Sequence, residues 1–307
     1  MVTVANAPVA AAAFDPFSLL WLILLFSSFQ PAFQRQYLLA QRWHALGVLS
    51  RRRQATVITL IHRQESMSLL GFPIVRYIDI DDSEGILRAI RETPAQRSIE
   101  IILHTPGGLV LAAQQIAAAL ADHGGHVTAV VPHYAMSGGT LIALAADEIL
   151  LDAHAALGPV DPQLGQYPAA SVVEAAKLPG DHEDQTLIMA DVGSKALVQV
   201  EGFTTRLLER HMPTERAREV AHLMASGVWT HDHPLLRADL EALGLPVRAD
   251  VPGLERELMT LYPQPRGRTS AVEYAPGPPA PTFPPRRELP LGSPRGSQQQ
   301  PAARDGA

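Results

Sequence analysis

No cysteine occurs among the 307 residues. That absence removes disulfides, thiolate zinc sites and a cysteine nucleophile, and it is compatible with a reducing compartment. Lysine is almost as scarce. Lys177 and Lys195 are the only two, and every other Lys/Arg-type cation is arginine. Arginine keeps its charge on burial whereas lysine can lose a proton when desolvated, so these two residues are candidates for proton transfer. The net charge is −6, and the globular part shows no basic face, so no nucleic-acid partner is expected. A nucleotide-binding Gly-x-Gly-x-x-Gly turn is missing as well, because the apolar run Val127–Val131 leads into Pro132-His133-Tyr134, and no cofactor is expected. His231 and His233 alternate as two ligands on a strand would, but no third ligand stands at a diagnostic spacing, so no metal is expected.

Apolar residues make up 47% of the chain, enough at this length for a large core in one or two domains. From Pro16 to Gln34 there is no charged residue. At about 1.5 Å per residue this stretch covers about 28 Å as a helix, the thickness of a bilayer core. Asp15 suits the N-cap and Pro16 the first helical position, whereas Pro31 is expected to kink or end the span. A secretory signal lacks its basic start here, and a buried helix is the other alternative. Arg35, Arg42, Arg51, Arg52 and Arg53 follow with no acidic residue among them. The positive-inside rule then places the C-terminal bulk in the cytoplasm, behind a single-pass anchor in the cell membrane. The boundaries expected are an anchor over 1–34 in contact with membrane lipid, a basic connecting helix over 35–53, a globular domain over 54–262 and a tail over 263–307. The tail holds 11 of the 26 prolines and is expected to be disordered, with a proline-recognising partner as a minor alternative.

Within the globular domain, β-branched and apolar runs at 57–61, 99–103, 127–131 and 149–151 read as strands. Helical runs lie at 109–121, 138–146, 187–211 and 216–226, and Asp81 with Glu84 has capping-box spacing for a helix through Arg91. This alternation predicts an α/β fold with a parallel sheet.

Two glycine-bearing segments sit at strand-to-helix turns: His104-Thr105-Pro106-Gly107-Gly108 and Ala135-Met136-Ser137-Gly138-Gly139-Thr140. In a parallel sheet both turns lie at the carboxyl edge, where ligands bind. A serine at such a turn is exposed at a helix N-terminus, and glycine N–H groups beside it are suited to an oxyanion. Taken alone, Ser137 reads first as a plain N-cap residue before a tight turn. Gly107, Gly108 and Gly138 are the candidate donors. Asp161, in a Gly-Pro-Val-Asp-Pro turn, is expected to bond its own backbone.

The first segment resembles the Ser-Pro-Gly-Gly oxyanion segment of the Clp protease and signal peptide peptidase A superfamily, with His104 in a structural position before it. The second, continued by Leu141-Ile-Ala-Leu-Ala-Ala-Asp-Glu-Ile149, is similar to that superfamily's nucleophile turn and helix. With 59–73, Leu157-Gly-Pro-Val-Asp-Pro-Gln163 and Ser226-Gly-Val-Trp-Thr-His231, the chain resembles the serine dehydrogenase proteinase (SDH proteinase) family over about residues 15–262. The resemblance implies a ClpP/crotonase-like spiral of ββα units, a homo-oligomer, and serine-type peptidase activity on a peptide or membrane-protein substrate. It also implies Ser137 as nucleophile and a base in a Lys-Ser-Ala-type helical segment, which Ser194-Lys195-Ala196 matches 58 residues after Ser137. His154, in His-Ala-Ala-Leu-Gly158, resembles the Clp protease base segment and is the second candidate; Lys177 is the third. Two other readings stay open: a crotonase-like acyl-CoA enzyme using the same donors, and an inactive oligomeric membrane scaffold.

Overall fold

Residues 16–62, 67–69, 72–74, 76–249 and 251–262 are described by a computed structural model of the chain. The proline-rich tail and residues 1–15 lie outside this set. The described residues all fall within one compact unit. Its strands in chain order are β1 (Ala55–Ile61), β2 (Met67–Leu69), β3 (Phe72–Ile74), β4 (Ser98–His104), β5 (Val127–Val131), β6 (Tyr134–Ala135), β7 (Glu148–Leu151), β8 (Ala156–Leu157), β9 (Gln163–Leu164), β10 (Tyr167–Pro168), β11 (Leu235–Leu236) and β12 (Val247–Ala249). Its helices are α1 (Pro16–Arg53), α2 (Ile80–Glu92), α3 (Val110–Ala121), α4 (Gly138–Leu144), α5 (Ala169–Ala175), α6 (Asp184–Leu208), α7 (Thr214–Ala225), α8 (Arg237–Leu243) and α9 (Gly253–Thr260).

The continuous apolar runs become a five-stranded, wholly parallel sheet in the order β1-β4-β5-β7-β12. Strands buried on both faces need apolar residues at successive positions rather than alternating ones. β4 shows this directly. Ile99, Ile101 and Leu103 join the larger core, with Ile86 of α2, Ile116 of α3, Ile142 of α4 and Leu207 of α6. Ile102 points the other way, onto Leu49 of α1 and Leu258 and Met259 of α9. The result is three layers, with the helices α2, α3, α4, α6 and α7 on one face and the end of α1 with α9 on the other. A second, three-stranded sheet, β11-β8-β6, stands beside the carboxyl edge. The α/β class and the parallel sheet agree with the sequence reading.

Three details differ. The capping box of α2 is Asp79 with Asp82, not Asp81 with Glu84: Asp79 Oδ1 accepts the Asp82 N–H at 3.0 Å and Asp82 Oδ2 accepts the Asp79 N–H at 3.1 Å. The preceding Ile78 is held in a parallel bridge to Gly108, so the helix starts as soon as the chain leaves that bridge. Secondly, α1 runs unbroken from 16 to 53 through Pro31. Thirdly, among the described residues no helix is long and apolar enough to cross a membrane. Most side chains between 16 and 34, where the transmembrane helix is expected, lie outside the described set.

Candidate active site

β4 and β5 are neighbours, so their carboxyl ends deliver both glycine-bearing turns to one place. The turns then bond to each other: the Met136 N–H donates to the Thr105 carbonyl at 2.9 Å and the Thr105 N–H to the Tyr134 carbonyl at 3.2 Å. Ser137 has φ 50° and ψ −116°, and the Gly139 N–H donates to the Met136 carbonyl at 2.7 Å. These values describe a type II′ turn with Ser137 at its first central position, where glycine is normally required. A side chain held there costs about 1–3 kcal/mol and persists only where the surroundings over-determine it. Its hydroxyl makes no capping bond to α4, so the N-cap reading does not explain it.

All seven residues of α4 are buried, and α3 meets it through small residues. A Cβ at Gly138 would lie 2.9 Å from the Ala113 Cβ and 3.6 Å from the Gly108 nitrogen. The Gly108 and Gly138 amides are therefore close neighbours, and neither donates to an acceptor among the described residues. Gly107 differs, because its N–H donates to Thr105 Oγ1 at 3.2 Å and is thereby engaged. Close approach explains the glycine pair. At Gly107, with φ +104°, a Cβ would meet the Ser137 Cβ at 2.8 Å; at Gly108 it would meet the Ile78 nitrogen and oxygen at 2.3 Å.

Each candidate base is exposed, and the two lysines have partners of their own. Lys195 lies on α6 with its side chain 67% exposed, and its ammonium bonds the Asp191 carboxylate one turn earlier. Lys177 is similarly exposed, beyond the end of α5, with Nζ 2.6 Å from Glu174 Oε1. His154 is exposed in the turn between β7 and β8. No hydrogen bond joins any of the three to Ser137 among the described residues.

Asp161 is buried and accepts from side chains rather than its own backbone N–H. Its Oδ1 lies 2.8 Å from His231 Nδ1, and Oδ2 accepts from Gln163 Nε2 at 2.6 Å. His233 stacks on Trp229 instead of sharing a ligand set with His231. His104 is buried against the rings of His133 and Tyr134, in line with a structural position.

Sequence reasoning missed His62, Asp82 and Thr105. His62 is buried at the end of β1, with Nε2 3.1 Å from Asp82 Oδ2 and Nδ1 3.0 Å from Thr105 Oγ1. Burial works against the charge on Asp82. The bonds from His62 and from the Asp79 N–H outweigh it, and the carboxyl is held below its ordinary value. The only sequence signs were the position of Thr105 inside the first glycine segment and of His62 inside the stretch 59–73.

Residues 10–284 match the model of a family described as ClpP-like SDH-type serine proteinase. Two uncharacterized proteins of Methanocaldococcus jannaschii are close relatives. MJ1495 is 49% identical over 265 residues, covering 86% of this chain and 90% of its own length. MJ0137 is 50% identical over 260 residues, covering 84% and 91%. With matches of that extent, the chain belongs to the ClpP-like SDH-type serine proteinase family.

Proposed function

We propose that the protein is a serine endopeptidase whose nucleophile is Ser137. The observation that carries this reading is the strained backbone of Ser137 beside two amides, Gly108 and Gly138, that find no acceptor among the described residues. In the reaction Oγ of Ser137 attacks the scissile carbonyl carbon, and the base takes the hydroxyl proton. The carbonyl oxygen becomes an oxyanion between the Gly108 and Gly138 N–H groups. One such donor contributes about 3 kcal/mol in the transition state. The C–N bond then breaks as the base returns its proton to the leaving amine, and water hydrolyses the acyl-enzyme by the same route.

Lys195 is the proposed base. Packing of α6 on α4, the helix that Ser137 opens, supports it. To serve, its amine must leave Asp191 and lose its proton within hydrogen-bond reach of Ser137 Oγ. The exposed apolar side chains of Tyr77, Leu109, Val110 and Leu111 beside the oxyanion turn support an apolar peptide segment as substrate. Attachment of α1 to membrane lipid and homo-oligomeric assembly complete the proposal, with Leu20, Trp21 and Phe33 exposed on α1 in support of the first.

The test is labelling of the full chain with a fluorophosphonate probe. Ser137→Ala should lose both labelling and proteolysis, and full labelling of that variant refutes the assignment. Across pH, Lys195→Ala should lose labelling where His154→Ala and Lys177→Ala keep it. Wild-type labelling of Lys195→Ala removes Lys195 as the base.

A further inference from the structure

We infer that His62, anchored by Asp82, is a positioning residue that sets the oxyanion turn through the hydroxyl of Thr105. This rests on the peptidase reading of Ser137.

With a neutral imidazole at His62, the donors and acceptors run in a consistent direction along the chain of contacts. The Asp82 carboxylate only accepts, so it takes the proton of His62 Nε2 at 3.1 Å. Neutral His62 then presents Nδ1 as an acceptor, and the Thr105 hydroxyl donates to it at 3.0 Å. With its proton committed, Thr105 Oγ1 has lone pairs left for the Gly107 N–H at 3.2 Å. The Gly107 carbonyl, 3.5 Å from Thr105 Oγ1, is the more distant alternative acceptor for that hydroxyl, and the series ends on the residue that precedes the proposed donor Gly108.

Backbone contacts fix the same turn from its other side. The Gly107 carbonyl accepts the Ile78 N–H at 2.8 Å, and the Leu109 N–H donates to the Ile78 carbonyl at 2.9 Å. Asp79 and Asp82, which cap the helix after Ile78, complete a loop of bonds from α2 through His62 back to Gly107. Thr105 also touches the nucleophile turn directly, since its carbonyl accepts the Met136 N–H and its Cγ2 lies 2.6 Å from where a Gly139 Cβ would be. His62 itself bonds through its backbone N–H to the His104 carbonyl at 2.7 Å. Among the described residues, Thr105 is thus the one side chain that bonds the His62–Asp82 pair and the oxyanion turn while touching the serine turn. Loss of its hydroxyl frees Gly107 to rotate about its left-handed conformation and turns the Gly108 N–H away from the oxyanion position.

The experiment is saturation kinetics of fluorophosphonate labelling on the full chain, read as a limiting rate and a half-saturating concentration. Thr105→Val keeps the shape and loses the hydroxyl, so its limiting rate should fall tenfold or more, with half-saturation within about threefold, because small misplacements at a reacting centre act on the transition state. Thr105→Ser should stay within about threefold in both. His62→Asn places an amide oxygen near the Nδ1 position and should keep more of the rate than His62→Gln, which reaches toward Asp82 and leaves Thr105 without its acceptor. Equal loss in Thr105→Val and Thr105→Ser, a loss confined to half-saturation, or a wild-type limiting rate in Thr105→Val overturns the inference alone. An unlabelled wild type, or undiminished labelling of Ser137→Ala, overturns the peptidase reading and this inference with it.

Discussion

Replacing Ser137 by glycine should make the protein inactive and more stable than replacing it by alanine. Both substitutions remove the hydroxyl, and the hydroxyl makes no capping bond. Their difference therefore isolates the backbone. At φ 50° and ψ −116° alanine keeps the Cβ that makes this conformation costly, whereas glycine has none. Relief of the strain is worth about 1–3 kcal/mol. Glycine gives back about 0.5–1 kcal/mol through the greater freedom of its unfolded chain. The net advantage is about 1 kcal/mol, which in a domain of this size raises the melting temperature by about 2–4 °C. Differential scanning calorimetry of Ser137→Ala and Ser137→Gly side by side reads this directly. If Ser137→Gly melts at or below Ser137→Ala, the turn is not strained at the serine, and the argument from strain to nucleophile falls with it.

Gly108→Ala should lose fluorophosphonate labelling at least a hundredfold, since its Cβ would sit 2.3 Å from the Ile78 backbone; Gly85→Ala, in α2 with nothing within 4 Å, should instead gain about 0.5–1 kcal/mol in urea unfolding. Burial, and then the charge of Glu255, push the Glu100 carboxyl up from 4.5 to about 7 against the pull of Arg53, so the fold favours its neutral form. That stability is fully present below pH 4.5 and is lost as pH rises to about 7, amounting to about 3 kcal/mol; Glu100→Gln should flatten this part of the profile in urea unfolding at pH 5 and 8. Arg53→Met should cost about 3–5 kcal/mol by the same assay, because it strands the buried carboxylate of Glu255, to which Arg53 Nε donates at 2.9 Å. Adding Glu255→Gln should recover part of that loss.

The sheet was legible because a parallel strand covered on both faces has to be apolar at successive positions, and 101–103 and 129–131 are. The two glycine turns were legible for a related reason: Gly107 and Gly108 stand where any Cβ would strike Ser137 or Ile78, so the spacing itself records a close approach. The His62–Asp82–Thr105 series left no such record. Its members sit on β1, α2 and the end of β4, and only the folded sheet brings them within 3.1 Å of one another in sequence. The start of α2 was misplaced by two residues on the same ground, since the Ile78–Gly108 bridge that fixes it is tertiary. Lysine scarcity singled out Lys195 and Lys177, yet each has an acidic residue three or four positions earlier, Glu174 and Asp191, and pairs at that spacing form on exposed helix faces. The local pairing was as readable as the rarity. Glu100 is a lone charge in the run of β4, and that Arg53 pairs with both it and Glu255 depends on α1 and α9 covering the same face of the sheet.

The strained serine is held by groups that have little freedom to give way. Leu141 N–H bonds the Ser137 carbonyl at 3.1 Å and Gly139 N–H bonds the Met136 carbonyl on the other side of it. Thr140, wholly buried, lies with its Oγ1 2.8 Å from the Ala135 carbonyl and 3.0 Å from the Gly158 carbonyl, and it accepts the Gly158 N–H at 3.1 Å. One hydroxyl thus ties the strand before the serine to the Gly158 segment that follows β8. Relaxing Ser137 would require breaking bonds on both flanks at once, each worth about 1 kcal/mol net and more if a buried group is left unpaired. Their sum exceeds the strain, so the turn keeps its shape without substrate. A site assembled in this way presents its amides before any oxyanion forms, and reorganisation is then not part of the barrier. What such rigidity cannot do is move a proton: the pinned turn would supply the proposed nucleophile and its oxyanion donors, while the proposed base, Lys195, stands on a separate helix, α6, paired with Asp191.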